Sequence, residues 1–445
     1  MTENSLAGRL KRYTNVTTAV GGLMARLLGD RYLGFSIDAP QHAEDLKDTL
    51  GGLKGPLMKI AQILATVPDM LPPEYATAFL ELQSNAPPMG WPFVKRRMQA
   101  ELGPGWQSHF KEFDQQASAA ASLGQVHKAI DLKGRLLACK LQYPEMGSAV
   151  DADLGQLKLV LKSFELYSGA LDTENLQVEI AERLWEELDY LQEAKNTNLF
   201  GEMLAPFPFA DVPRIIDELT TPRLLSMTWL EGQKLLTLTD ASQDLRNDVS
   251  TCLFKVWYSP LYQYGVLHGD PHLGNYSWSS EGKLNLLDFG CIRVFKAPLI
   301  QGVLNLYRAL QTGNEELAVH AYGSWGFTNL DKELIEILNL WARFLYEPFL
   351  EDRIRPIEET YSGVKGRQVA GEILAALKRK GGVRPPREFV FMDRAAVGLG
   401  SVFMRLRAHL NWHQLFEELI KDFSESTLKT NQEALFKRID YAYSS

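Results

Sequence analysis

The spacing of apolar positions along the chain changes character twice. Over residues 1–110 apolar and basic residues recur three and four apart, as in "SLAGRLKRYTNVTTAVGGLMARLLGDRYLG", which predicts amphipathic helices. Glycines and Pro56 open one helix, Pro68 closes it, and Pro72 and Pro73 begin another. From residue 111 the runs shorten. "FDQQ", "SLGQVHKAI" and "RLLACKLQ" read as strands, with "DLKGR" as the turn between the last two. A long helix is then expected over "NLQVEIAERLWEELDYLQEAKNTNLF", with Leu176, Ile180, Leu184, Leu188 and Leu191 as its buried stripe. "RLLSMTWLEG", 223–232, reads as a further buried strand. Helical spacing prevails from there to the C-terminus, apart from a loop at 265–276 and the strand "KLNLLDFG". The expected class is α+β in three parts: a helical extension over 1–110, a β-rich lobe with inserted helices over 111–232, and a helical lobe over 233–445.

Length and composition narrow the reading. A chain of 445 residues is too long for one ordinary core, and 45% hydrophobic content is enough to fold two or three packed units. With 47 Lys and Arg against 55 Asp and Glu, the net charge of −8 argues against nucleic acid as the main partner. Arg9, Lys11, Arg12 and Arg26 form a basic face whose ordinary explanation is solvation and whose alternative is acidic lipid. Cys139, Cys252 and Cys291 lie far apart with no CxxC pair, so neither a disulfide framework nor zinc is expected, and a reducing compartment is. "MTENSLAGRLKRY" lacks the pattern of a signal peptide, and no apolar run approaches the roughly 18 residues of a spanning helix. Peripheral membrane contact is left open.

The chemistry concentrates in two stretches. "VLHGDPHLGNY" contains His268, Gly269 and Asp270, with Asn275 five positions after the aspartate; "LNLLDFGCIR" contains Asp288, Phe289 and Gly290 after an apolar strand. Phosphoryl transfer from ATP asks a protein to hold magnesium against phosphate and to set a carboxylate near the acceptor. Asn275 and Asp288 offer the hard oxygen ligands that magnesium takes, and Asp270 can orient or deprotonate the attacking group. His268 and His272 bracket Asp270, but no third His or Cys lies nearby, so they read as structural hydrogen-bonding groups. In "LLACKLQYP" strand alternation puts Ala138 and Lys140 on one face and Leu137, Cys139 and Leu141 on the other. A small residue beside adenine and a lysine on the α/β phosphates is the kinase arrangement, and Glu193 in "LQEAKN" is the carboxylate expected to hold that lysine. Glu187 and Asp189 precede it. In a regular helix Asp189 shares a face with Glu193, whereas Glu187 sits about 120° away. Either the helix bends here or these acids serve different partners.

Taken together the set resembles the UbiB-type protein-kinase-like family of ubiquinone and prenyl-lipid metabolism. The resemblance rests on "KIAQ" at 59–62, "AAASLGQVH" at 119–127, "ACK" at 138–140, "EELDYLQEA" at 186–194, "HGDPHLGN" at 268–275 and "DFG" at 288–290. The C-terminal stretch "PPREFVFMDRAAVGLGSVFMRLRAHLNWHQLFEEL" looks like the helical region of members without membrane anchors. One departure stands out: the family motif K-x-G-Q has Ala61 where glycine is usual.

The resemblance implies a bilobal kinase-like fold using ATP and Mg2+. Lys140 and Glu193 would form the nucleotide ion pair, Asp270 would be the catalytic-loop aspartate, and Asn275 and Asp288 would hold the metal. Ala119, Ala120, Ala121, Ser122, Gln125 and Ala138 would line the nucleotide, and Trp229 and Leu230, within the 227–232 hinge, would meet adenine. Lys59, Gln62, Glu187 and Asp189 would gate the mouth. Partners implied are ATP and ADP, with anionic lipid or quinone-biosynthesis intermediates and enzymes, in a cytoplasmic or mitochondrial-matrix compartment, peripheral on the inner membrane.

Alanine pays roughly 1–2 kcal/mol for the positive φ that glycine adopts freely, so an alanine loop folds down over phosphates less readily. "GCIRVFKAPLI" runs from the DFG straight toward a helical pattern, with no A-P-E element to dock a protein acceptor. Both features disfavour protein phosphorylation in trans. The rival readings are a small-molecule kinase of the aminoglycoside or choline type and a non-catalytic, nucleotide-dependent scaffold.

Overall fold

The computed structural model describes residues 56, 60, 88–121, 123–168, 173–357, 372, 376 and 386–442. The expected basic face at Arg9–Arg26, the gate residues Lys59 and Gln62, Ala61, and the loop residue Ser122 lie outside these. The described chain divides into two compact units. One takes the residues up to Met89 with Ala119–Gln125 and Tyr143–Leu184; the other takes Gly90–Ser118, Val126–Gln142 and Trp185 onward.

Helix α1 (Trp91–Leu102) starts with a proline in its first turn and buries Phe93, Val94 and Met98. Strand β1 (Phe110–Phe113) follows a 3-10 turn; "FDQQ" was expected as this strand, but pairing ends at Phe113. Its aromatic residues explain the shift, since Phe110 and Phe113 each pack against Trp106 while Asp114, Gln115 and Gln116 are exposed. Next come β2 (Ala119–Ala121), β3 (Gly124–Asp131) and β4 (Leu136–Gln142). Residues Leu137–Gln142 of β4 are buried on both faces, which matches the nearly unbroken apolar run "LLACKLQ".

Helices α2 (Met146–Ser168) and α3 (Thr173–Glu186) come next, and α3 stops three residues short of α4 (Tyr190–Leu204). The single long helix expected over 175–200 is therefore two. Ile180 and Leu184 are buried as predicted, but Leu188 falls in the break and is half-buried, and Leu191 is 44% exposed. The break resets the helical phase, so a stripe extrapolated across it fails.

Strands β5 (Ala210–Asp211), β6 (Leu224–Thr228) and β7 (Gln233–Lys234) precede the long α5 (Gln243–Tyr264). β6 pairs antiparallel with β4, setting Lys140 opposite Leu225 and Ala138 opposite Met227. The main sheet of the second unit runs β1-β3-β4-β6.

Helix α5 begins at Ser242, whose hydroxyl accepts from the Leu245 amide at 3.3 Å, and ends at Gly265. Gly265 has φ +67°, and a Cβ there would lie 2.5 Å from the Phe295 carbonyl, so glycine alone fits. The chain then enters β8 (Val266–His268), β9 (Tyr276–Trp278), β10 (Leu284–Leu286) and β11 (Ile292–Val294). β8 and β11 pair antiparallel, with His268 opposite Ile292; β5, β10, β9 and β7 form a second small sheet. β10 lies within the strand expected over "KLNLLDFG", whereas β8 falls in the expected loop at 265–276 and β11 where helical spacing was expected.

The remainder is helical: α6 (Ala297–Thr312), α7 (Glu315–Ser324) and α8 (Lys332–Leu350), then β12 (Arg355–Pro356), α9 (Arg387–Leu406), β13 (His409–Leu410), α10 (Trp412–Ile420) and α11 (Glu425–Arg438). Their apolar stripes close on α5, where Phe254, Tyr258, Phe349 and Phe416 interlock at ring distances of 4.6 to 6.3 Å. Among the described residues no helix is long and apolar enough to cross a membrane.

Candidate active site

The site lies wholly within the second unit and is assembled from three places in the chain. β4 carries Lys140 into a buried position, 9% exposed, beside Ala138 on the same face. Helix α4 brings Glu193, 2% exposed, and the Lys140 ammonium donates to both its carboxylate oxygens at 2.7 and 2.9 Å. It donates a third time, to Asp288 Oδ2 at 3.0 Å. The Tyr190 ring, fully buried, faces the same ammonium at 5.3 Å.

The electrostatics follow from two carboxylates sharing one buried cation. Burial works against the Lys140 ammonium, but Asp288 and Glu193 together outweigh it and hold its pKa well above the usual lysine value. Burial, with the Asp288 charge adding to it, holds the Glu193 carboxyl up at about 7 against the downward pull of Lys140.

The break before α4 explains the three acids that a regular helix could not turn to one point. Asp189 ends as the N-cap of α4, its Oδ1 accepting from the Gln192 amide at 2.9 Å. Glu187 sits in the break, its Cα and Cγ within 4.0 Å of the Cβ position of Gly290 in the DFG. Gln142, two residues past Lys140 on β4, donates to the Leu188 carbonyl at 3.0 Å. The break is thus tied to the lysine strand.

The His268–Asn275 loop and the DFG are held by β8 and β11. His268 Nε2 donates to the Asp288 carbonyl at 2.8 Å, and its Nδ1 accepts from the Asp270 amide at 3.3 Å, a pattern that assigns the Nε2–H tautomer. His272 caps the following turn, accepting from Gly274 at 3.0 Å. Both histidines therefore do hydrogen-bonding work. A Cβ on Gly269 would lie 2.6 Å from Cys291 Sγ, so glycine lets the HGD segment lie flush against the strand after the DFG. Asn275 Nδ2 donates to the Asp270 carbonyl at 3.0 Å, which leaves its carbonyl oxygen for another partner. Asp288 Oδ1 accepts from the Gly290 amide at 3.1 Å. Four residues past the DFG aspartate the chain enters β11, and only Phe295 and Lys296 separate β11 from α6 at Ala297.

The donor set fits magnesium. Asn275 Oδ1 and Asp288 supply oxygen ligands of the kind a hard cation takes beside phosphate and water. Among the described residues no group of three His, Cys, Asp or Glu side chains could hold an ion by itself. A metal here would be held jointly by protein and phosphate.

Two of the expected nucleotide contacts look different in place. Gln125 is fully buried, and its carboxamide is spent on the Met89 backbone, accepting from its amide at 2.7 Å and donating to its carbonyl at 3.1 Å. It braces the first unit. Trp229 donates its backbone N–H to Leu136 at 2.9 Å, and its ring stacks under Lys128 at 4.9 Å. Lys128 in turn pairs with Glu231 at 2.7 Å, fastening the 229–232 segment to β3. Leu230 is half-buried beside it. Ala119, Ala120 and Ala121 are extended in β2, with none at positive φ.

Sequence reasoning missed Gln142, Tyr190 and Asn196. Asn196, one helical turn past Glu193, donates to the Phe289 carbonyl at 2.8 Å. The i+3 spacing from Glu193 was the available signal, since it puts both residues on the face of α4 turned to the DFG.

Comparison with known proteins points the same way. The family model described as "ABC1 atypical kinase-like domain" matches residues 81–321. The chain is similar to the atypical kinase COQ8B, mitochondrial, of Rattus norvegicus, at 29% identity over 85% of this chain and 71% of the relative. It is similar to the atypical kinase COQ8, mitochondrial, of Saccharomyces cerevisiae, at 28% identity over 82% of this chain and 74% of the relative. Among solved structures, the Rv3197–erythromycin complex from Mycobacterium tuberculosis superposes with a TM-score of 0.59 at 26% identity, covering 85% of this chain and 96% of that one.

Proposed function

The chain belongs to the ABC1 atypical kinase-like family, and from that premise we propose that it binds ATP with magnesium at this site and acts as an ATPase or atypical kinase. Its role would be to support synthesis of ubiquinone or a related prenyl lipid. The single observation that carries the reading is the Lys140 ammonium held between Glu193 and Asp288 at 2.7 to 3.0 Å.

The roles follow from that placement. Glu193 keeps Lys140 extended, and the ammonium is aimed where the α and β phosphates would lie. Asn275 and Asp288 would hold magnesium, which when bound supplies neutralising charge to the phosphate oxygens. Asp270, on the turn organised by His268, would orient the attacking water or hydroxyl and accept its proton. Glu187, beside Gly290, and Asp189 would stand at the mouth of the site. Ala138, Trp229 and Leu230 would line the nucleotide.

The acceptor side supports a small or lipid substrate over a protein. The chain from Gly290 to Ala297 is too short for the segment on which protein kinases dock substrate. Two relatives carry "mitochondrial" in their names; the compartment proposed here is of that matrix or cytoplasmic type, with contact to anionic lipid at the membrane surface.

The test is steady-state phosphate release with magnesium and ATP, with and without anionic liposomes, from wild type and Asp288→Asn. Release from wild type alone supports the reading. Equal release from both proteins would leave the nucleotide-dependent scaffold.

A further inference from the structure

We infer that Tyr441, 153 positions beyond Asp288 in sequence, is a positioning residue for the DFG loop and acts through Asn196. The proposal deepens the reading above and rests on it in one respect, that Asp288 ligates the nucleotide's metal.

Asn196 is 4% exposed and Tyr441 7% exposed. The Tyr441 hydroxyl donates to Asn196 Oδ1 at 2.7 Å, and Gln192 Nε2 donates to the same oxygen at 2.9 Å. Two donors on Oδ1 fix which way the carboxamide points, because its oxygen must face them. Its N–H then has one direction left, toward the Phe289 carbonyl at 2.8 Å.

That carbonyl is one of two consecutive pins on the DFG backbone. The other is the Asp288 carbonyl, held by His268 Nε2 at 2.8 Å. With both carbonyls fixed, the Gly290 amide is aimed at Asp288 Oδ1 at 3.1 Å. The carboxylate therefore inherits its orientation from the peptides around it, and one of those peptides is oriented from the C-terminal tail.

The tail is itself anchored to the elements it would brace. Arg438 pairs with Glu202 of α4 at 2.6 Å, and the Tyr441 ring packs on Phe436 at 5.1 Å. From α11, Gln432 Nε2 donates to the Tyr264 carbonyl at 2.7 Å and to Phe295 at 3.0 Å, the residues that flank β8 and β11. The same terminal segment thus touches the helix bearing Glu193 and the base of the hairpin bearing Asp270 and Asp288.

Tyr441→Phe keeps the ring and removes the donor. Its expected effects are a thermal midpoint unchanged, faster amide hydrogen exchange in the peptide spanning 288–291 without nucleotide, and a magnesium requirement for ADP binding raised about 3- to 10-fold, the weight of one buried hydrogen bond. Metal-free ADP affinity should stay within about 2-fold, since Asp288 is needed for metal. Asn196→Asp, which loses the donor to Phe289, should give a larger shift in the same direction. Adding Tyr441→Phe to it should change little, because the tyrosine acts through that amide. Gln192→Leu supplies a second route should Tyr441→Phe lower the thermal midpoint; it should shift the magnesium requirement the same way.

Unchanged exchange at 288–291 in Tyr441→Phe would overturn the proposal. So would additive effects in the double variant, or an equal loss of metal-free and magnesium-dependent affinity. If wild type binds no adenine nucleotide, the functional reading fails, while the exchange measurement still decides the role of Tyr441.

Discussion

Replacing Glu193 by glutamine probes the ion pair with almost no change in volume. Lys140 now has three charge-assisted contacts, two to Glu193 at 2.7 and 2.9 Å and one to Asp288 at 3.0 Å. Glutamine keeps one acceptor and turns the other position into a donor facing the ammonium. Removing one partner of a buried pair costs about 3–5 kcal/mol when the remaining charge is left alone. Here it is not, because Asp288 stays in contact, and a neutral side chain escapes the burial cost that raises the Glu193 carboxyl, so the loss is capped at that of one charged hydrogen bond, about 1.5–3 kcal/mol. The ammonium should then lean onto Asp288, withdrawing both groups from the nucleotide and its metal. Affinity for magnesium ATP should fall about 10- to 100-fold, at 1.4 kcal/mol per decade. Urea unfolding monitored by circular dichroism reads the first quantity and titration calorimetry the second. A companion pair, Lys140→Met with Glu193→Leu, should be less unstable than Lys140→Met alone, because both charges leave together. Stability within about 0.5 kcal/mol of wild type together with intact affinity would refute the reasoning.

Other consequences can be measured alongside. The Glu193 carboxyl, raised to about 7 by burial, gains its proton as pH falls from 8 to 6, so nucleotide affinity should decline over that range in wild type and stay flat in Glu193→Gln. The sign for folding is opposite: a carboxyl raised in the folded state favours the fold below its unfolded value of about 4.5 and loses that contribution as pH rises through about 7. Acid alone should therefore not unfold the protein through this group, which pH-dependent urea midpoints check. Ala121→Gly should alter the preference between ATP and ADP and raise phosphorylation in cis; unchanged affinities for both nucleotides would count against a role for the alanines. Gly265→Ala forces a side chain to φ +67° within 2.5 Å of the Phe295 carbonyl, and should cost about 2–4 kcal/mol in urea unfolding, combining left-handed strain and overpacking.

What was legible in the sequence was what local spacing encodes. Strand alternation placed Ala138 and Lys140 together, and the apolar run before Asp288 announced the DFG strand. The helix-breaking role of Asp189 was not legible, because an aspartate reads equally well as a solvated helix residue. Only the fold shows it as a cap, with Glu187 and Leu188 left in the break. That one break also moved Leu191 to the surface. Gln125 is a buried brace on Met89, a partner 36 residues earlier whose backbone has no sequence signature. The link from Tyr441 to Asn196 spans 245 residues, beyond any periodicity. Strands of two and three residues, such as β8 and β11, are held by pairing across the catalytic loop and leave no alternation long enough to read.

The central claim is that Lys140, Asp270, Asn275 and Asp288 converge on one magnesium-bound triphosphate. Titration calorimetry of wild type with ATP, run with and without magnesium and repeated on Asp288→Asn, tests it most directly. The expected result is a single saturable site in wild type whose affinity rises with magnesium, and loss of that rise in the variant. Absence of heat with every adenine nucleotide, or the same magnesium dependence in both proteins, would contradict it.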